Sequence, residues 1–149
     1  MGRNTFRKHP VLWVVSVVVL APVLLLVGVH VANNIAAKSI ESRLVSIGVP
    51  PETELIDSAW AVSRFAGAGN GTEYAGSLLL ESDLSAADLE AFYESQSPHA
   101  QVVMAWGEDM ASHFQFNMNY DLEKPGLYMV FETGHPTSSL LSSADIRGH

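Results

Sequence analysis

The run Val11–Val31, VLWVVSVVVLAPVLLLVGVHV, contains no Asp, Glu, Lys or Arg. At about 1.5 Å rise per residue it spans roughly 31 Å as a helix, matching the hydrocarbon thickness of a bilayer. A soluble core helix of that length keeps a polar stripe, and this run has none. Pro22 sits in its middle, a position that membrane helices tolerate better than soluble ones. The run therefore predicts a single membrane-spanning helix with the lipid bilayer as its first partner.

The flanks orient it. Arg3, Arg7, Lys8 and the amino terminus precede the run, and a short basic segment resists translocation. Lys38 and Arg43 follow on the far side, offset by Glu41. Trp13 stands where an aromatic belt meets the inner interface. The amino terminus is expected in the cytoplasm and the remainder outside the cell membrane. A cleaved signal peptide is the competing reading, but its apolar core is usually about 7–15 residues. VANNIAAKS downstream has small residues without a clean Ala-x-Ala site. The signal-anchor reading is preferred. Met-Gly at the start lacks the Ser or Thr that myristoylation expects at position 6, which is Phe6.

The chain has no cysteine, which excludes disulfides, thiol catalysis, thiolate metal sites and a lipid-modified cysteine. The exported part must rely on its apolar core alone. From Asn33 onward, five basic residues stand against all 16 acidic ones, a net of −11. Such a surface repels nucleic acid and anionic headgroups, and it also serves ordinary solubility. The scarcity of lysine and the abundance of Ala, Val, Ser and Gly fit a bacterial envelope protein, by association rather than by physics.

Beyond the membrane run, Ile40, Leu44 and Ile47 recur at helical spacing, and Gly48 with Pro50-Pro51 predicts a helix end. This stalk is expected to lie on its own domain. The period then shifts towards two. ELIDSAWAVSRF puts Ile56, Ser58, Trp60, Val62 and Arg64 on one face, although neither face is cleanly apolar. EYAGSLLLE follows as a strand with Tyr74, Leu78 and Leu80 on one side. In LSAADLEAFYES, Ser85 is a natural N-cap, Asp88 an acidic capping partner, and Leu84 with Leu89 a hydrophobic staple. Leu89, Phe92 and Tyr93 form its apolar stripe, and Ser97-Pro98 ends the helix.

Three further strands are expected in HAQVVMAW, SHFQFNMNY and GLYMVFET, the last after a Lys124-Pro125-Gly126 turn. The order ββαβββ implies an α+β fold, an antiparallel sheet with one helix on a face. The expected organisation is a cytoplasmic basic tail over 1–10, a transmembrane helix over 11–31, a stalk helix and linker over 32–51, an extracytoplasmic α+β domain over 52–134 and a flexible tail over 135–149.

Chemical motifs are few. RFAGAGNGTEY carries Gly67, Gly69 and Gly71, but a dinucleotide fingerprint needs Gly-x-Gly-x-x-Gly between strand and helix. Strand follows here, and no P-loop lysine is present. Asn70-Gly71 instead suits a tight hairpin turn. Asn70-Gly71-Thr72 also matches a glycosylation sequon, a pattern that arises often by chance. The one catalytic constellation is His113 with Glu108 or Asp109, which a hydrolase needs in company with further convergent groups. No His-Glu-x-x-His or Gly-x-Ser-x-Gly is present, and the sequence predicts neither a metal nor a cofactor. His113, Gln115, Asn117 and Asn119 form a polar row opposite Phe114, Phe116, Met118 and Tyr120, so they are candidate ligand-binding residues on a sheet face. Three functions stay open: an extracytoplasmic binding or accessory module, a hydrolase using His113, and a small subunit of a membrane complex with an envelope partner.

Overall fold

The computed structural model describes residues 10–65, 71–105, 112–116, 124–136, 144–145 and 147. One helix, α1 (Pro10–Ile47), runs unbroken through Pro22. It joins the apolar run and the stalk into a single rod. It is the one helix among the described residues long and apolar enough to cross a membrane, with a mean hydropathy of 2.7. Only 6% of that apolar window is buried. From Trp13 to Gly28 every side chain is exposed, and packing begins at Val29. The exposed part is about 24 Å long at helical rise.

The sheet has four antiparallel strands among the described residues: β1 (Thr53–Ser63), β2 (Glu73–Ser82), β3 (Gln101–Met104) and β4 (Leu127–Gly134), in spatial order β1-β2-β4-β3. A short helix, α2 (Ala86–Glu94), links β2 to β3. The α+β class is as expected. β1 and β2 form the anticipated hairpin, closed by the pair Ser63 and Glu73. No helix follows the glycine loop, so a dinucleotide cradle lacks the helix end it requires. Asn70 itself lies outside the described residues.

α1 lies along β2 in the same direction. Asn33 and Thr72 meet at a common partner, Glu41 crosses Gly76, and Leu44 shares a buried cluster with Leu78 and Leu80. The crossing is close: a Cβ on Gly76 would sit 2.2 Å from the Glu41 main-chain nitrogen and 2.6 Å from its Cα. Tyr93 from α2 and Val130 from β4 complete this cluster with Ile40. The Tyr93 hydroxyl donates to the Gly48 carbonyl at 2.9 Å, just where α1 ends with a positive φ of 81° at Gly48. Burial pushes the Tyr93 phenol up to about 12. Glu132, buried on β4, accepts from Arg43 of α1 and from Ser97 after α2 at 2.7 Å. One carboxylate thus ties both helices to the sheet.

The α2 cap forms as its sequence implies. The Asp88 amide donates to Ser85 Oγ at 3.2 Å, and that hydroxyl donates to the Asp88 carboxylate at 2.6 Å. Leu89 and Tyr93 face inward.

The opposite sheet face differs from expectation. It carries Ala59, Ala61, Ala75, Met129 and Phe131, covered by Phe114, with Leu79, Ala105 and Leu127 alongside. The strand anticipated in SHFQFNMNY is not formed over Ser112–Phe116, where a short turn at Ser112–His113 precedes chain without regular structure. Positions 117–120 lie outside the described residues. Phe114 and Phe116 still turn inward while His113 and Gln115 turn out. Alternating burial needs no strand partner, so alternation alone does not imply a ladder. The second departure is in β1, where the register shifts between Leu55 and Asp57. That bulge sends Ile56 to the Leu79 side, away from Ser58 and Trp60.

Gly76→Ala should lower the stability of the detergent-solubilised full chain by about 1–3 kcal/mol, because backbone cannot yield as a side chain does. Gly28→Ala, whose Cβ meets nothing within 4 Å, should be neutral. Chemical denaturation of the two variants side by side checks this, and equal midpoints would refute the close crossing.

Candidate functional site

β1 pairs with β2 along one side, and no described strand lies on its other side. A trough of about 460 Å³ runs along that outer side. Its floor takes residues 58 to 62 without a gap, from Ser58 through Trp60 to Val62. One wall is α1, through Lys38 and Glu41, and the other is the overlying segment, through His113 and Gln115.

The strand pleat explains how both walls reach it. Ser58, Trp60 and Val62 pair with Leu78, Gly76 and Tyr74, so they point to the α1 side. Ala59 and Ala61 point to the Phe114 side. A cavity confined to one face would collect alternate residues only. This trough collects consecutive ones, so it wraps around the free edge of the strand.

Specific contacts fix its walls. The Ser58 hydroxyl donates to the Glu41 carboxylate at 2.6 Å, joining β1 to α1. Lys38 and Glu41 are one helical turn apart, which brings both to the same face. His113 stands with Nδ1 3.4 Å from Ser63 Oγ, its ring edge-on to Phe65 at 5.2 Å. Phe65 in turn stacks on Phe114 at 5.9 Å, so the buried phenylalanines set the imidazole position. Trp60 remains 37% exposed.

Two of the four proposed ligand-binding residues, His113 and Gln115, thus come together, on a wall over the sheet and not on a bare sheet face. Asn117, Asn119, Glu108 and Asp109 lie outside the described residues. Among the described residues, no group of three His, Asp or Glu side chains is placed to hold a metal ion. Lys38, Glu41, Ser58 and Trp60 were not identified as site residues from the sequence. The available signal was Trp60, a large aromatic on a strand face alternating with Ser and Ala.

A second polar cluster lies where the apolar stretch of α1 meets the domain. Where a flexible tail is expected, Asp145 is fully buried against α1. Asn33 Nδ2 donates to its carboxylate at 2.8 Å, and Arg147 donates from Nε at 2.9 Å and Nη2 at 2.6 Å. His30 Nε2 lies 3.6 Å away, Thr72 Oγ1 donates to the Asp145 carbonyl at 3.1 Å, and Arg147 Nη1 reaches Asn34 at 2.6 Å. Burial alone would raise the Asp145 carboxyl, but the Arg147 and Asn33 hydrogen bonds and the Arg147 charge outweigh it. They hold it well below the usual carboxylate range. These groups stand at Val29 to Asn34, where the exposed apolar part of α1 gives way to the packed part.

Comparison with protein-family models, curated proteins and solved structures finds no match to this chain.

Asp145→Asn should destabilise the domain by about 1–3 kcal/mol at neutral pH, since it leaves Arg147 without its anionic partner. The native carboxyl is depressed, so its contribution is present above the unfolded value near pH 4 and is lost as pH falls below that. The gap in melting temperature between the native chain and Asp145→Asn should therefore close on acidification. A gap that persists unchanged to pH 2 would refute the charged clamp.

Proposed function

We propose that this protein is a single-pass, membrane-anchored binding module whose working surface is the trough along β1. The carrying observation is the trough itself. It gathers an exposed tryptophan, a lysine, a carboxylate, an imidazole and an amide against a free strand edge. That set offers apolar contact area and hydrogen bonds of both polarities, which suits recognition. The partner is a polypeptide of the envelope or of a membrane complex.

The anchor is the exposed, apolar part of α1, and the domain stands outside the cytoplasm. The support is the basic segment Arg3, Arg7 and Lys8 before the run and the acidic composition after it. Packing from Val29 onward leaves the exposed stretch from Trp13 to Gly28 for lipid, so the domain sits close against the membrane surface.

Two measurements test these statements. Protease added outside intact cells stripped of any outer barrier should digest the domain and leave a short anchor fragment. Full protection would reverse the orientation. In mild detergent, the full chain should co-purify with a protein partner, and Trp60→Glu should lose it. Met104→Glu, exposed on the opposite edge strand, should retain it. Equal retention by both variants would remove the trough from the interface.

A further inference from the structure

The trough has a feature that its lining residues alone do not explain: its floor is main chain. A sheet edge presents a row of backbone N–H and C=O groups that pair readily with another extended chain. Natural edges are usually blunted by short length, by Lys or Pro, or by a bulge. β1 is 11 residues long and contains neither Lys nor Pro. Its bulge is confined to the Leu55–Asp57 region, which leaves Ser58 to Ser63 in regular register with β2. The regular part is the part that lines the trough.

From this, and resting on the binding-module reading above, we infer that the trough receives an extended segment of a different polypeptide, added to β1 as an antiparallel fifth strand. Main-chain hydrogen bonds to the free edge supply the affinity, and Trp60 covers the incoming strand on the α1 side.

A second copy of this chain does not fit. Two β1 strands pairing antiparallel are related by a twofold axis perpendicular to the sheet. α1 lies along β2, roughly in the plane of the sheet, so that axis would reverse it. The two apolar rods would leave at opposite ends, and both could not enter one bilayer. The occupant is therefore another protein.

Charge selects its sequence. β1 runs back along α1, so its last residues lie on the anchor side and its first on the far side. The anchor-side end carries the cations Lys38 and Arg64, with the Glu73 carboxylate taken up by the Phe65 amide. The far end is acidic: Glu52, Glu54, Glu81 and Asp83 line a depression there, with Glu81 held by Lys124 at 2.6 Å. An antiparallel strand enters at the anchor side and runs away from the membrane. Complementarity asks for acidic residues early in that segment and basic residues late, with apolar or β-branched residues between.

The test uses the full chain in its own membrane, with the photoreactive residue benzoylphenylalanine placed in turn at positions 62, 60 and 58. All three face the α1 side, and cross-linked peptides are mapped by mass spectrometry. Strand addition expects adducts on one segment of one partner. The contact should move about two residues towards that segment's carboxyl end at each step from 62 to 60 to 58. The mapped segment should be acidic before the contact region and basic after it. Three outcomes would overturn the inference while leaving the binding module intact: contacts scattered over one partner, contacts moving in the opposite sense, or a segment of reversed charge. Adducts within this chain or to a second copy would overturn the inference by naming another occupant. Absence of any polypeptide adduct at all three positions would sink the binding-module reading together with it.

Discussion

Everything in this molecule depends on how closely the backbone of α1 approaches β2. The contact at Gly76 admits no side chain, because a single methyl group would overlap the Glu41 main chain. Gly134 on the neighbouring strand makes room for side chains instead: a Cβ there would lie 2.4 Å from the Tyr74 ring. With the helix drawn down over Gly76, Ile40 and Leu44 reach the core, Arg43 reaches Glu132, and Glu41 reaches Ser58. The same contact sets the direction of the rod, and with it the position of the domain relative to the apolar stretch. The apolar stretch and the part packed on the domain belong to one continuous helix.

Polar groups are spent sparingly and at joints. Glu132 gathers the two helices, Tyr93 closes the end of α1, and Asp145 fastens the chain end to the start of the packed helix. Each buried group has its partners, which is the condition for burying it at all. Among the described side chains no buried polar atom is left without one. The trough is different in kind. Its polar groups line an open depression around a strand edge.

Much of the fold was legible. Stripe, cap and staple specified α2 within a few residues, because those signals are local and each satisfies an end group of the helix. The stalk was recognised as a helix that packs on its own domain through Ile40, Leu44 and Ile47. Three features misled. The mixed faces of ELIDSAWAVSRF reflect a bulge, which inverts the inside and outside of the residues before it. The alternation of SHFQF reports Phe114 packed inward, not a ladder. Asp145 sits in a serine-rich tail with no periodicity, so nothing near it in sequence announces that it is buried.

The sequence by itself determined the apolar rod, the hairpin, the capped helix and the α+β class. Those follow from local periodicity, end-capping chemistry and charge, which act over a few residues at a time. Only the tertiary structure decided which strand is left at the edge, and so where the trough lies. Lys38, Ser58 and His113 are far apart along the chain and share no pattern. They meet because Gly76 lets a helix settle on β2 and because the buried Phe114 holds the segment beyond β3 to the opposite face. The unpaired edge is a property of strand order, and strand order is set by long-range packing that no local signal encodes.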